Sequence, residues 1–167
     1  GILWSTDGIN WNFDNRVTDA ELAITYINTS EVSVQNPLLL GVNNNPYLAY
    51  SLDGGFNWLL SPMDVIDADI ADCLWDGEKW LIIGNGTTNT IAYSYDIINW
   101  TAVSNSKTLI ADATNGFIAY NGSVYIAGGL TGNKRAYSHD GIIWFQAAAS
   151  FSATHIDAVW IGNIWVA

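Results

Sequence analysis

The chain has 167 residues, half of them apolar and 13% charged, with five basic against sixteen acidic residues for a net charge of −11. That composition excludes a disordered chain, and five cations are too few to neutralise a nucleic-acid backbone or an anionic membrane surface. The single cysteine, Cys73, excludes an intrachain disulfide and a cysteine-rich zinc site, and the length suits one domain.

In chain order, Ile2-Leu3-Trp4 reads as a strand. It is followed by the turn Ser5-Thr6-Asp7-Gly8 and then Trp11. Ala20 to Ile27 contains Ile24, Thr25, Tyr26 and Ile27, which favour a strand over two turns of helix. Val32 to Gly41 keeps an apolar run, Leu38-Leu39-Leu40, closed by Gly41. Tyr50-Ser51-Leu52-Asp53-Gly54-Gly55-Phe56-Asn57-Trp58 then repeats the opening pattern of aromatic, Ser-x-Asp, turn and Trp. Ala68 to Trp75 is expected to be a first strand turning at Asp76-Gly77, and Lys79 to Gly84 a second, ending in the polar loop Asn85 to Asn89. Thr90 to Ser94 and Ile98 to Val103 are a third and a fourth strand about the turn at Asp96. Ser104 to Lys107 links to the next unit. Helical spacing is nowhere sustained.

The remainder repeats what came before. Tyr120-Asn121-Gly122-Ser123-Val124-Tyr125-Ile126-Ala127-Gly128-Gly129 copies Trp75-Asp76-Gly77-Glu78-Lys79-Trp80-Leu81-Ile82-Ile83-Gly84, and Trp160-Ile161-Gly162-Asn163-Ile164-Trp165-Val166-Ala167 copies it again. The Ser-x-Asp serines, Ser5, Ser51, Ser94 and Ser138, stand 46, 43 and 44 residues apart. A period of this size with four strands per unit predicts an all-β propeller of four-stranded antiparallel blades. The expected repeats lie near 15–60, 61–103 and 104–146. A fourth blade is split between residues 147–167, which supply its inner two strands, and 1–14, which supply its outer two. Closure of that blade within one chain is favoured over completion by a second copy, because tethered halves have a high effective concentration.

The Ser-x-Asp turns resemble the Asp-box, Ser-x-Asp-x-Gly-x-x-Trp, of sialidase-like β-propellers. Ser51, Asp53, Gly55 and Trp58 reproduce its full spacing. Ser5, Asp7, Gly8 and Trp11, like Ser138, Asp140, Gly141 and Trp144, are one residue shorter between Asp and Trp, and Ser94, Asp96 and Trp100 also lack the glycine. The resemblance implies a box between third and fourth strands, away from any catalytic face. Local chemistry agrees with a structural part: a carboxylate at a hairpin tip can accept turn N–H groups that have no strand partner.

Enzymatic candidates are thin. Sialidases of the resembled fold grip the substrate carboxylate with three arginines, and this chain has Arg16 and Arg135 alone. Thirteen Asp and three Glu leave a glycoside hydrolase or lyase, or a fragment of a larger propeller enzyme, as the alternative. Most of these acids, however, occupy turn positions. Cys73 falls within an expected buried strand, where a thiol is a packing residue. His139 should be exposed, and His155 precedes an inner strand. Asp67 and Asp69 have Asp-x-Asp spacing without the dense series of oxygen ligands that calcium needs. No catalytic set, metal site or cofactor is expected. The reading is a non-enzymatic recognition or structural module that binds glycan or protein through its polar interblade loops, with Asp67, Asn85, Lys107, Lys134 and His155 as the candidate ligand face.

Overall fold

The computed structural model describes residues 2–5, 7–14, 22–24, 38–42, 47–52, 57–129, 135–148 and 157–167. The architecture is all-β. A two-stranded sheet, β1 (Ile2–Trp4) and β2 (Asn12–Asp14), comes first. Three four-stranded antiparallel sheets follow, each in simple sequential order. They are β3 (Leu22–Ile24), β4 (Leu38–Val42), β5 (Tyr47–Ser51) and β6 (Leu59–Pro62); β7 (Ile70–Trp75), β8 (Trp80–Gly84), β9 (Ile91–Ser94) and β10 (Thr101–Ala102); and β11 (Phe117–Tyr120), β12 (Tyr125–Gly128), β13 (Arg135–Ser138) and β14 (Trp144–Gln146). A last two-stranded sheet pairs β15 (Val159–Trp160) with β16 (Trp165–Val166).

The second strands show why their sequences are continuously apolar rather than alternating. All five residues of β8 are buried. Trp80 and Ile82 project into a cluster with Leu48, Met63, Ile66 and Ile97, towards the preceding sheet. Leu81 and Ile83 project into a cluster with Ile118, Tyr125, Ala127 and Trp144, towards the following one. A strand with a core on each face has no side to spare for polar residues. Each such side chain removed from water contributes roughly 1.5–3 kcal/mol.

The glycine that closes each second strand has a steric reason. A Cβ added to Gly84 would stand 2.5 Å from the Asp69 carbonyl oxygen, and one on Gly128 would stand 2.6 Å from the Phe117 ring. The first strand enters its sheet across these positions, and Asn85 N–H donates to that same Asp69 carbonyl at 2.9 Å. First strands of consecutive sheets are also tied directly, since Asp72 Oδ2 accepts the Ile118 N–H at 3.0 Å.

Two expectations differ from the observed elements. β10 is two residues long because the Asp96 turn holds residues 97–100. The link expected to be a plain loop contains a single turn of helix, α1 (Ser106–Leu109), closed by Ile110 N–H donating to Ser106 C=O at 2.8 Å. Among the described residues β1 pairs β2 and β15 pairs β16, each as a separate two-stranded sheet.

Candidate functional site

Up-and-down order sorts the connections to two ends of the sheets. The β7–β8, β9–β10, β11–β12 and β13–β14 turns share one end. The β8–β9 loop and the segments leading into β7 and β11 share the other.

At the turn end, three Ser-x-Asp turns have the same internal hydrogen bonding. Oδ1 of each aspartate accepts the N–H groups two and three residues on: Ile9 and Asn10 at 2.8 Å to Asp7, Ile98 at 3.0 Å and Asn99 at 2.7 Å to Asp96, and Ile142 and Ile143 at 2.8 Å to Asp140. Each serine Oγ accepts the N–H of the residue after the aspartate, Gly8 at 2.8 Å, Ile97 at 2.9 Å and Gly141 at 2.8 Å, and faces the carboxylate at 3.0–3.1 Å. The tryptophan Nε1–H donates back to the carbonyl of that residue: Trp11 to Gly8 at 3.2 Å, Trp100 to Ile97 at 3.0 Å, Trp144 to Gly141 at 2.9 Å. In two copies the spare carboxylate oxygen accepts an asparagine Nδ2–H, from Asn10 or Asn99.

These donors favour the ionised acid. The Asn99 N–H and Asn99 side chain hold Asp96 down at about 2, and the Asn10 N–H and side chain hold Asp7 well below the ordinary carboxylate range. At Asp140, partial burial opposes the shift, but the Ile143 and Ile142 N–H groups outweigh it and the pKa is lowered. In the second copy Ser51 and Trp58 are buried, while Asp53 and Gly55 lie outside the described residues. Trp58 Nε1 has no hydrogen-bond partner among the described residues.

The residue after the aspartate is left-handed in each of the three described copies: φ is 72° at Gly8, 66° at Ile97 and 73° at Gly141. The missing glycine of the third copy is therefore not a change of backbone. Ile97 takes the disfavoured conformation and is fully buried in the cluster with Trp80 and Leu48.

At the loop end, three of the five candidate ligand residues come together. Asp67 accepts the Thr87 N–H at 2.6 Å and the Thr87 hydroxyl, and these two donors, with a smaller contribution from the nearby Lys107 ammonium, lower its pKa. Lys107 Nζ donates to the Gly86 carbonyl at 2.7 Å, and Asn85 directly precedes that glycine. Asn89 Nδ2 donates to the Val65 carbonyl at 3.1 Å, closing the β8–β9 loop onto the segment that enters β7. Asp67 and Thr87 are exposed, and Asn85 and Lys107 are half-buried. Lys134 and His155 lie outside the described residues. The arrangement offers a carboxylate, an ammonium group and amide and hydroxyl groups within one loop cluster, a donor and acceptor set suited to hydroxyl-rich or peptide ligands.

Sequence reasoning passed over one group of side chains. Lys79 and Asp76 are a nearly solvent-free ion pair at 2.8 Å, and the Tyr125 hydroxyl of the next sheet donates to the same carboxylate and lies 3.2 Å from Lys79 Nζ. Burial opposes ionisation of Asp76, but donation from Lys79 and Tyr125, with the Lys79 and Glu78 N–H groups, outweighs it and lowers the pKa. The available signal was positional, since Lys79 stands where the later copies carry Val124 and Ile164. Cys73 is buried in β7 and His139 is exposed beside the Tyr137 ring. Among the described residues no three His, Cys, Asp or Glu side chains are grouped to hold a metal ion, and no helix is long and apolar enough to cross a membrane. No protein-family model matches the chain, and no curated protein matches it.

Proposed function

We propose that the protein is a non-enzymatic recognition or structural module built as an Asp-box β-propeller, with its four-stranded sheets as blades and its loop end as the ligand-binding face for a glycan or a protein. The observation that carries this reading is the use made of the carboxylates. Asp7, Asp96 and Asp140 spend their oxygens on turn N–H groups. Asp72 spends its own on Cys73 and Ile118 N–H groups, and Asp76 is locked in a buried pair. An acid held ionised by several backbone donors is a poor proton donor at neutral pH. The Asp67–Thr87–Lys107 cluster, with Asp67 and Thr87 exposed, offers a polar surface for recognition among the described residues. Propeller assembly is supported by the sequential order of the four-stranded sheets and by the two-sided burial of β8.

A glycan array together with a panel of chromogenic glycosides tests this reading. Saturable binding without turnover is expected. Turnover of any glycoside, abolished by one Asp→Asn change, would replace it with the hydrolase reading.

A further inference from the structure

The junctions between consecutive four-stranded sheets can be compared position by position. Leu59 stands opposite Tyr50 and Thr101 opposite Tyr93, which aligns Ser61 with Val103 along the two edge strands. The Ser-x-Asp turns align Ile98, Asn99 and Trp100 with Ile142, Ile143 and Trp144. Where the β11–β14 sheet meets the sheet before it, Val103 and Trp144 are buried in one apolar cluster. Where the β7–β10 sheet meets the sheet before it, the same positions carry Ser61, Asn99 and Trp100. A cavity of about 320 Å³ lies among them, completed by Asp64 and Ile98. Trp100 packs on the cluster that holds Leu48 and Met63, yet it is half-buried, whereas Trp144 is buried.

The fold does not require polar groups at these positions, since the next junction is built with Val103 and Ile143 in their place. Ser61 is 5% exposed, and its hydroxyl has no hydrogen-bond partner among the described residues. A hydroxyl so enclosed is costly to leave unpaired. Asp64 is exposed, and its carboxylate makes neither a hydrogen bond nor an ion pair among the described residues. Asn99 donates its Nδ2–H to Asp96 Oδ2 at 2.7 Å, so its amide oxygen remains an acceptor. Trp100 Nε1–H is held by the Ile97 carbonyl at 3.0 Å, which fixes the indole against the cavity.

This lining is rich in acceptors, and none of its described residues is basic. Its complement is a group that only donates and carries positive charge. An ammonium has three N–H donors and no acceptor, and it is attracted both to a carboxylate and to an indole ring. Exposed Ile98 offers apolar surface for a hydrocarbon stem. The volume is at the small end of ligand sites and suits a single unbranched chain, and the net charge of −11 favours approach of a cation.

We infer that this cavity binds an alkylammonium group, supplied by a lysine side chain of a partner protein or by a free aliphatic amine. The ammonium sits against Asp64 and the Asn99 amide oxygen, with Ser61 and the Trp100 ring beside it and the stem along Ile98. The site shares no residue with the Asp67–Thr87–Lys107 cluster and does not depend on recognition there.

Shift mapping by NMR with three probes tests the assignment. Cadaverine and Nα-acetyl-lysine methylamide should each give saturable shifts at the Ser61, Asp64 and Asn99 amides and at the Trp100 indole N–H. The Nε-acetylated form of the lysine probe, which lacks the charge, should not. Tighter binding of the lysine probe assigns the site to a protein side chain, and tighter binding of cadaverine assigns it to a free amine. Asp64→Asn should weaken binding about tenfold and leave the melting temperature unchanged, because Asp64 holds nothing else in place. Ser61→Val/Asn99→Ile, which installs the residues of the next junction, should abolish binding. Absence of shifts at these residues, equal binding of the acetylated probe, or an affinity unaffected by Asp64→Asn would each overturn the inference. Shifts confined to residues 67, 87 and 107 would also refute this site, while leaving recognition at the loop end intact.

Discussion

The Tyr125 hydroxyl, on the second strand of one sheet, donates to the Asp76 carboxylate at the hairpin tip of the sheet before it, and Lys79 contacts both groups. Burial and the neighbouring carboxylate push the Tyr125 pKa up, so the phenol remains a donor across the ordinary pH range. The link also anchors a stack of aromatic rings, with Tyr120 at 4.0 Å from Tyr125 and nearly parallel.

Breaking this link from one side should be costly, and removing its charges together should not. Asp76→Ala leaves Lys79 buried and unpaired, and should cost about 3–5 kcal/mol in urea unfolding. The double change Asp76→Asn/Lys79→Val installs the residues found at Asn121 and Val124 in the next copy, and should cost much less than the single change. Tyr125→Phe should lie between them, at about 1–3 kcal/mol. A double variant as unstable as Asp76→Ala would show that the pair itself, and not the avoidance of an unpaired charge, is what holds the two sheets.

Acid should weaken the fold through the Ser-x-Asp turns. The folded-state pKa of Asp96 is depressed from the ordinary 3.8 to about 2, and that of Asp7 is also lowered. A depressed carboxylate contributes its full stabilisation above the unfolded pKa, and the contribution is lost as pH falls through the folded one. Stability should therefore be insensitive to these groups at neutral pH and decline as pH drops from near 4 towards about 2. Asp96→Asn should flatten that decline when unfolding is followed against pH. An unchanged acid limb would remove Asp96 as a cause.

Ile97 should reverse the usual ranking of alanine and glycine. Its φ of 66° is strained for a β-branched residue, by roughly 1–2 kcal/mol. Ile97→Ala forfeits the buried side chain and keeps the strained backbone, at about 2–5 kcal/mol. Ile97→Gly loses the same packing and relieves the strain, so it should be at least as stable as the alanine variant. Chemical denaturation of the two variants decides, and a glycine variant less stable by about 1 kcal/mol, as in an ordinary strand, would contradict the strained-turn reading.

Glycines at the two ends of the sheets should respond differently to alanine. Gly77 has φ 104° with nothing within 4 Å of an added Cβ, whereas Gly84 would place that atom against the Asp69 backbone. Gly77→Ala should lower the melting temperature through local strain alone, with β7 and β8 still protected in hydrogen exchange. Gly84→Ala should in addition expose the Asn85 N–H, which donates to that carbonyl. Equal protection of Asn85 in both variants would count against the close approach.

The unit of four strands was legible because apolar runs, turn glycines and Ser-x-Asp turns recur at one period, and because each feature has a local physical cause. The Asp96 turn needed no glycine to be recognised, since serine, aspartate and tryptophan carry most of its hydrogen bonds. What was not legible depends on contacts between units. Lys79 reads as a surface residue of a hairpin until Tyr125 of the next sheet is placed over it, 5.3 Å from ring centre to Nζ. The short helix at Ser106–Leu109 is set by tertiary partners too, with Ser106 Oγ accepting the Thr90 N–H at 3.0 Å. At the loop end, Asp67, Asn85 and Lys107 were named from the sequence as members of polar loops, but their hydrogen bonds to Thr87 and the Gly86 carbonyl depend on which loops the topology brings together.

Recognition at the loop end is tested most directly by one binding experiment with two variants. Against the best ligand from a glycan array, Lys107→Ala should weaken binding at least tenfold, and Asp140→Asn, at the opposite end of the sheets, should leave the affinity unchanged while lowering stability. Loss of binding on Asp140→Asn with Lys107→Ala unaffected would place recognition at the turns and contradict the assignment of the two ends.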